Sequence, residues 1–129
     1  MNIKEKAQAY HNTGYNCAQS VLAVCGDYTG VDEKTLLAVS GGFGSGLRSG
    51  ETCGAICGAV MAIGLANPYN DCTDAEAKDK IAVLTKNCVA TAREKFGAVS
   101  CRELAGDKSR CPFYIGEMAA MAEDIIKNN

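Results

Sequence analysis

The chain has 129 residues, 47% of them hydrophobic, and a formal net charge of −2. That length suits one domain, residues 1–129, and that apolar share can fill a core, so eight cysteines are not needed as covalent staples. The weak net charge, the lack of basic runs and the 6% aromatic share argue against nucleic acid as a partner.

The N-terminal MNIKEKAQAYHN is charged and has no apolar h-region, and no apolar run approaches the roughly 20 residues that span a bilayer. The expectation is a cytoplasmic protein that engages no membrane. In a reducing compartment eight cysteines suggest reactive thiols, metal ligands or small core residues more than permanent disulfides.

Residues Ile3–His11 read as a short helix ended near Gly14. Asn16 can cap a second helix, with Gln19 completing a capping-box pattern. Cys17, Val21 and Val24 share one face of that helix, and Cys25 lies at its far end. Asp32 and Glu33 open a third helix through Val39. Next come residues 40–65, SGGFGSGLRSGETCGAICGAVMAIGL, around which the rest is organised. Seven of the fourteen glycines lie between Gly41 and Gly58. They make a flexible loop whose backbone N–H groups can approach sulfur closely. A fourth helix is predicted from about Glu51 to Ala66, capped by Ser49 or Thr52 and stopped by Asn67-Pro68. Small and apolar nearly all round, it reads as a buried central helix. Cys53 would lie in its first turn, where free N–H groups and the macrodipole favour a thiolate, with Cys57 on the same face.

Asp71 or Thr73 opens a long fifth helix, Asp74–Phe96, with Ile81, Leu84, Cys88, Ala92 and Phe96 as its apolar stripe. Gly97 ends it. Ser100 can cap a short turn holding Cys101. The polar loop AGDKSR leads to Cys111, and Pro112 suits the start of a last helix, Pro112–Lys127. No strand pattern is present. The fold class is all-α: a compact bundle of about five to seven helices around the small-residue helix.

Cys17, Cys53, Cys101 and Cys111 each fall at or just before a predicted helix start. Arg102 and Arg110 adjoin two of them. Helix starts and guanidinium groups both favour thiolate over thiol. If these starts converge, they enclose a small electropositive thiol pocket under the glycine loop.

At these residues the chain resembles the C-GCAxxG-C-C family of redox-active proteins. The matching features are Gly14-Tyr15-Asn16-Cys17-Ala18-Gln19, then FGSGLRSGETCGAICGAVMAIGL, then Cys101-Arg102-Glu103-Leu104, then Cys111. The central motif carries over to Cys53-Gly54-Ala55-Ile56-Cys57-Gly58, with cysteine before glycine where the family pattern has Gly-Cys-Ala. Cys57 is therefore an added candidate. The resemblance implies a small, mostly helical thiol-redox protein; some members of the family carry selenocysteine at a nucleophilic position. Related split-Soret cytochromes need Cys-x-x-Cys-His, which is absent here.

Three functions suit these residues. The first is a thiol oxidoreductase in which Cys53 attacks and Cys17, Cys101 or Cys111 resolves, with Cys57 as a further thiol. Its partner would be a redox protein or a small-molecule thiol or disulfide. The second is an iron–sulfur or zinc protein with Cys17, Cys53, Cys101 and Cys111 as ligands, against which stands the lack of Cys-x-x-Cys pairs. The third is a helical module without chemistry. The small-residue surfaces also suit a homodimer. Cys25 and Cys88 read as core, Cys72 as an exposed loop residue and His11 as a solvent-facing helix end. Met61, Met118 and Met121 read as core filler. The glycine loop lacks the Gly-Lys-Ser/Thr ending of a phosphate cradle.

Overall fold

Asn2, Asn16, Asp32, Asp74 and Ser100 each accept the backbone N–H three residues on, and each opens a helix. A computed structural model describes residues 1–106 and 108–129; Asp107, in the predicted polar loop, lies outside the described residues. The helices are α1 (Ile3–Thr13), α2 (Cys17–Val24), α3 (Gly26–Thr29), α4 (Glu33–Ser40), α5 (Gly54–Ala66), α6 (Ala75–Phe96), α7 (Cys101–Leu104) and α8 (Cys111–Lys127). A π turn at Gly46–Gly50 and a 3-10 turn at Lys108–Arg110 complete them. Among the described residues there is no strand, and the chain is all-helical.

The sequence did not signal α3. It continues past α2 at Cys25, has no side-chain cap, and closes on Gly30 in a left-handed conformation. Nothing local marks such a start. The α5 helix begins later than predicted, with Cys53 as its N-cap rather than in its first turn. The cause is a long-range pairing. Thr52 forms an isolated antiparallel bridge with Ser100, and the Cys53 N–H donates to the Val99 carbonyl at 2.7 Å. Residues 51 and 52 are thus spent on an extended contact and cannot be helical.

The α5 helix packs against α2, α8, α6 and α3, while α1 packs against α8 and α2. Ala55, Ile56, Ala59, Ala62 and Ile63 of α5 are buried with Val21, Leu22, Ile115 and Met118. Each large aliphatic side chain so buried contributes about 1.5–3 kcal/mol before entropy is set against it. Two glycines let α2 lie close on α5. At Gly58 a Cβ would come 2.6 Å from the Ala18 carbonyl oxygen, and at Gly54 it would overlap the Cys17 sulfur. That approach sets the start of α2 over the start of α5. Glu117 of α8 forms ion pairs with Lys4 of α1 and Lys95 of α6.

Cys25 and Cys88 are fully buried core residues, and Cys72 is exposed. Met118 is buried, and Met61 and Met121 pack against the core. No helix among the described residues is long and apolar enough to cross a membrane.

Candidate functional site

Four capped or turned helix starts border one cavity of about 150 Å³, which is lined by Cys17, Cys53, Cys101 and Cys111. Their positions follow from local chemistry. Cys17 is the first residue of α2, fixed by the Asn16–Gln19 capping box: the Gln19 N–H donates to Asn16 Oδ1 at 2.9 Å, and the Asn16 N–H donates to Gln19 Oε1 at 3.1 Å. Asn16 Nδ2 also donates to the Gly41 carbonyl at the start of the glycine loop, and Gln19 Nε2 to the Leu37 carbonyl of α4, both at 3.0 Å. Cys101 opens α7 behind its Ser100 cap, and its N–H donates to the Glu51 carbonyl at 2.5 Å. Cys53 and Cys101 therefore both follow directly on the Thr52–Ser100 bridge. Cys111 opens α8, whose first turn is tied to α1 by Gln8 Nε2 donating to the Pro112 carbonyl at 3.0 Å.

Cys53 is buried, while Cys17, Cys57, Cys101 and Cys111 are half-buried. Cys57 lies one turn along α5, its thiol 3.9 Å from the Thr52 carbonyl, and does not border the cavity. Cys17 is the shared neighbour: its proximity adds to the rise of the Cys53, Cys57 and Cys101 thiols. The sequence reading centred on Cys53; in the structure Cys17 lies among the other thiols, over the bare backbone of Gly54. No disulfide joins any two cysteines among the described residues.

The electrostatics depart from expectation. Burial pushes the Cys53 thiol up to about 12, although the amides of Ala55 and Ile56 pull it down and the neighbouring Cys17 and Cys101 add to the rise. Burial likewise raises Cys57 and Cys101, with Lys108 pulling Cys101 back. The helix start does act on Cys53, but desolvation outweighs it, so the expected thiolate is a neutral thiol at rest. The acting amides belong to α5 itself, not to the glycine loop. That loop instead supplies a wall through Ser45. It runs through a left-handed turn with φ 54° at Ser45, 60° at Leu47 and 58° at Arg48, which costs roughly 1–2 kcal/mol per non-glycine residue. The Arg102 guanidinium donates to the Ser49 carbonyl at 3.0 Å and holds the turn.

The expected cationic lining is different too. Arg102 is engaged with Ser49, and Arg110 lies over the rings of Phe113 and Tyr114, at 5.7 and 5.4 Å from their centroids. Neither borders the cavity. Lys108 does, and so does His11, which the sequence reading placed in solvent. Its Nδ1 lies 2.9 Å from the Tyr15 carbonyl. Since a carbonyl can only accept, Nδ1 carries the proton and Nε2 is left to accept one. A sequence signal for this existed: only Gly14, Tyr15 and Asn16 separate the end of α1 from Cys17.

Four thiols also raise the question of a metal or iron–sulfur cluster. Among the described residues no group of three or more His, Cys, Asp or Glu side chains is arranged to hold a metal ion. The donor geometry thus does not fit a four-thiolate site. A larger, open cleft of about 790 Å³ lies elsewhere, bordered by α1, α2, α3 and α4; its lining includes Lys6, Tyr10, Asp27 and Glu33 but no cysteine.

No curated protein and no solved structure matches the chain. A family model does match. The family whose model matches residues 15–125 is described as "Putative redox-active protein (C_GCAxxG_C_C)", and the chain belongs to it.

Proposed function

We propose that this protein is a thiol–disulfide oxidoreductase in which Cys17 and Cys53 form the working pair. The observation that carries the reading is the meeting of Cys17, Cys53, Cys101 and Cys111 at one cavity, with the Cys17 sulfur against Gly54, next to Cys53. Half-buried Cys17 can meet a substrate, whereas Cys53 cannot be reached by a bulky one. The Cys17 thiolate attacks one sulfur of a disulfide R–S–S–R, forming Cys17–S–S–R and releasing RS⁻, which takes up a proton. Cys53 then attacks the Cys17 sulfur and expels the second RS⁻. Two thiols have lost two electrons, and the substrate disulfide has gained them. Cys101, Cys111 and Cys57 stand as alternative partners for Cys17.

A cavity of about 150 Å³ holds only a few heavy atoms, which favours a small-molecule thiol or disulfide, or the tip of a protein partner. This reading takes residues 1–129 as one domain built around α5 and working in a reducing cytoplasm. The test is turnover of a small aromatic disulfide, followed by absorbance, in wild type, Cys17→Ser and Cys53→Ser. Loss of turnover in Cys17→Ser, with a trapped mixed disulfide at Cys17 in Cys53→Ser, is expected. Equal turnover in all three proteins contradicts the assignment.

A further inference from the structure

The exchange just described requires a proton to leave Cys53 at the moment it attacks, and the cavity must supply a place for it. We propose that His11 Nε2 is the base that takes this proton. This rests on the Cys17–Cys53 reading and adds to it a residue upstream of residues 15–125, which the family match covers.

Three observations bear on it. First, His11 borders the same cavity as both thiols. Second, its Nδ1–H is held by the Tyr15 carbonyl at 2.9 Å, which fixes the tautomer and leaves Nε2 as an acceptor. Third, Cys53 needs a base more than its neighbours do. Burial pushes its thiol up to about 12, so at neutral pH it is held in the protonated form. The helix-start amides do not overcome that, and the two adjacent arginines are engaged elsewhere. The other titratable groups that border this cavity are Lys108, Cys17, Cys53, Cys101, Cys111 and Tyr114. Of these Lys108 is cationic and cannot accept a proton, and the others are themselves acids.

The step balances. As the Cys53 sulfur attacks the Cys17–S–S–R bond, its proton passes to Nε2. The Cys17–Cys53 bond forms, the Cys17–SR bond breaks, and RS⁻ leaves. The imidazolium then returns the proton to RS⁻, so RSH departs and the base is restored.

The experiment is stopped-flow measurement of RSH release from a preformed Cys17 mixed disulfide with 2-mercaptoethanol. It uses wild type, His11→Gln and His11→Ala across pH 6–9. In wild type the rate should rise with pH and level off. In His11→Gln it should be lower by roughly a hundredfold and climb with pH without levelling. Added imidazole should restore part of the His11→Ala rate, which a merely structural role would not allow. The equilibrium between the mixed and internal disulfides should be the same in all three. Unchanged rate and pH profile in His11→Gln, with the internal disulfide still formed, would overturn the role of His11 alone. Failure of wild type to form the internal disulfide would overturn the Cys17–Cys53 reading and the base together.

Discussion

Substituting two glycines of α5 tests the close approach on which the site depends. At Gly54 a Cβ would overlap the Cys17 sulfur and come 2.8 Å from the Phe43 carbonyl oxygen. Backbone on one side and a capped helix start on the other leave little room to yield. Overpacking of this kind costs about 1–3 kcal/mol. Alanine regains up to about 1 kcal/mol through helix propensity, so Gly54→Ala should lose about 1–2 kcal/mol net. Gly64 lies in the same helix with nothing within 4 Å of its would-be Cβ. There only the propensity gain operates, and Gly64→Ala should stabilise by about 0.5–1 kcal/mol. Urea unfolding of both variants reads the stabilities, and the iodoacetamide reaction rate of Cys17 reads the displaced sulfur. Opposite signs at the two positions, with altered Cys17 reactivity only in Gly54→Ala, are expected. If Gly54→Ala stabilises as Gly64→Ala does and leaves Cys17 unchanged, the close-packing argument fails.

Three further expectations concern stability. Cys25 and Cys53 are pushed up to about 12 and Cys88 to about 11, each by burial. Their neutral forms stabilise the fold fully below the ordinary thiol value near 9.0, and that stability is lost as pH rises toward the folded values. Urea midpoints should therefore fall steeply from pH 9 to 10.5, less so in Cys25→Ala; a flat profile would contradict the burial. Glu117 is held below the ordinary carboxylate range by hydrogen bonds from Lys4 and then Lys95. Its contribution is present above about pH 4.5 and lost as pH falls through the depressed value. Glu117→Gln should thus cost on the order of 1 kcal/mol at pH 7, and the difference should be smaller at pH 3. A constant difference at both pH values would argue against the clamp. Leu47→Gly removes a half-exposed side chain from a left-handed position, φ 60°. Relief of roughly 1–2 kcal/mol exceeds the entropic loss of about 0.5–1, so a small gain in thermal midpoint is expected, and a clear loss would deny the strain.

Much of the fold was legible because its signals are local. Asn16, Asp32 and Ser100 announce helices through a side chain and an amide three residues away. The same locality put Cys17, Cys53, Cys101 and Cys111 at helix starts. What could not be read was set by partners distant in sequence. The Thr52–Ser100 bridge delays α5 and makes Cys53 a cap. Arg102 and Arg110 are adjacent to cysteines in sequence, yet a carbonyl and two aromatic rings draw them away. The raised thiols follow from burial, which a helix-start rule omits. The place of His11 at the cavity was missed because it depends on the tight turn that lays α1 against α2, rather than on any motif around it.

The proposed function requires Cys17 and Cys53 to be a reversible pair. The most direct measurement is peptide mapping by mass spectrometry across a glutathione redox titration, with free thiols alkylated at each step. A Cys17–Cys53 linked peptide that appears and disappears with the potential, leaving Cys25 and Cys88 alkylated only after unfolding, is the predicted result. Absence of any linkage involving Cys17 at every potential would contradict it.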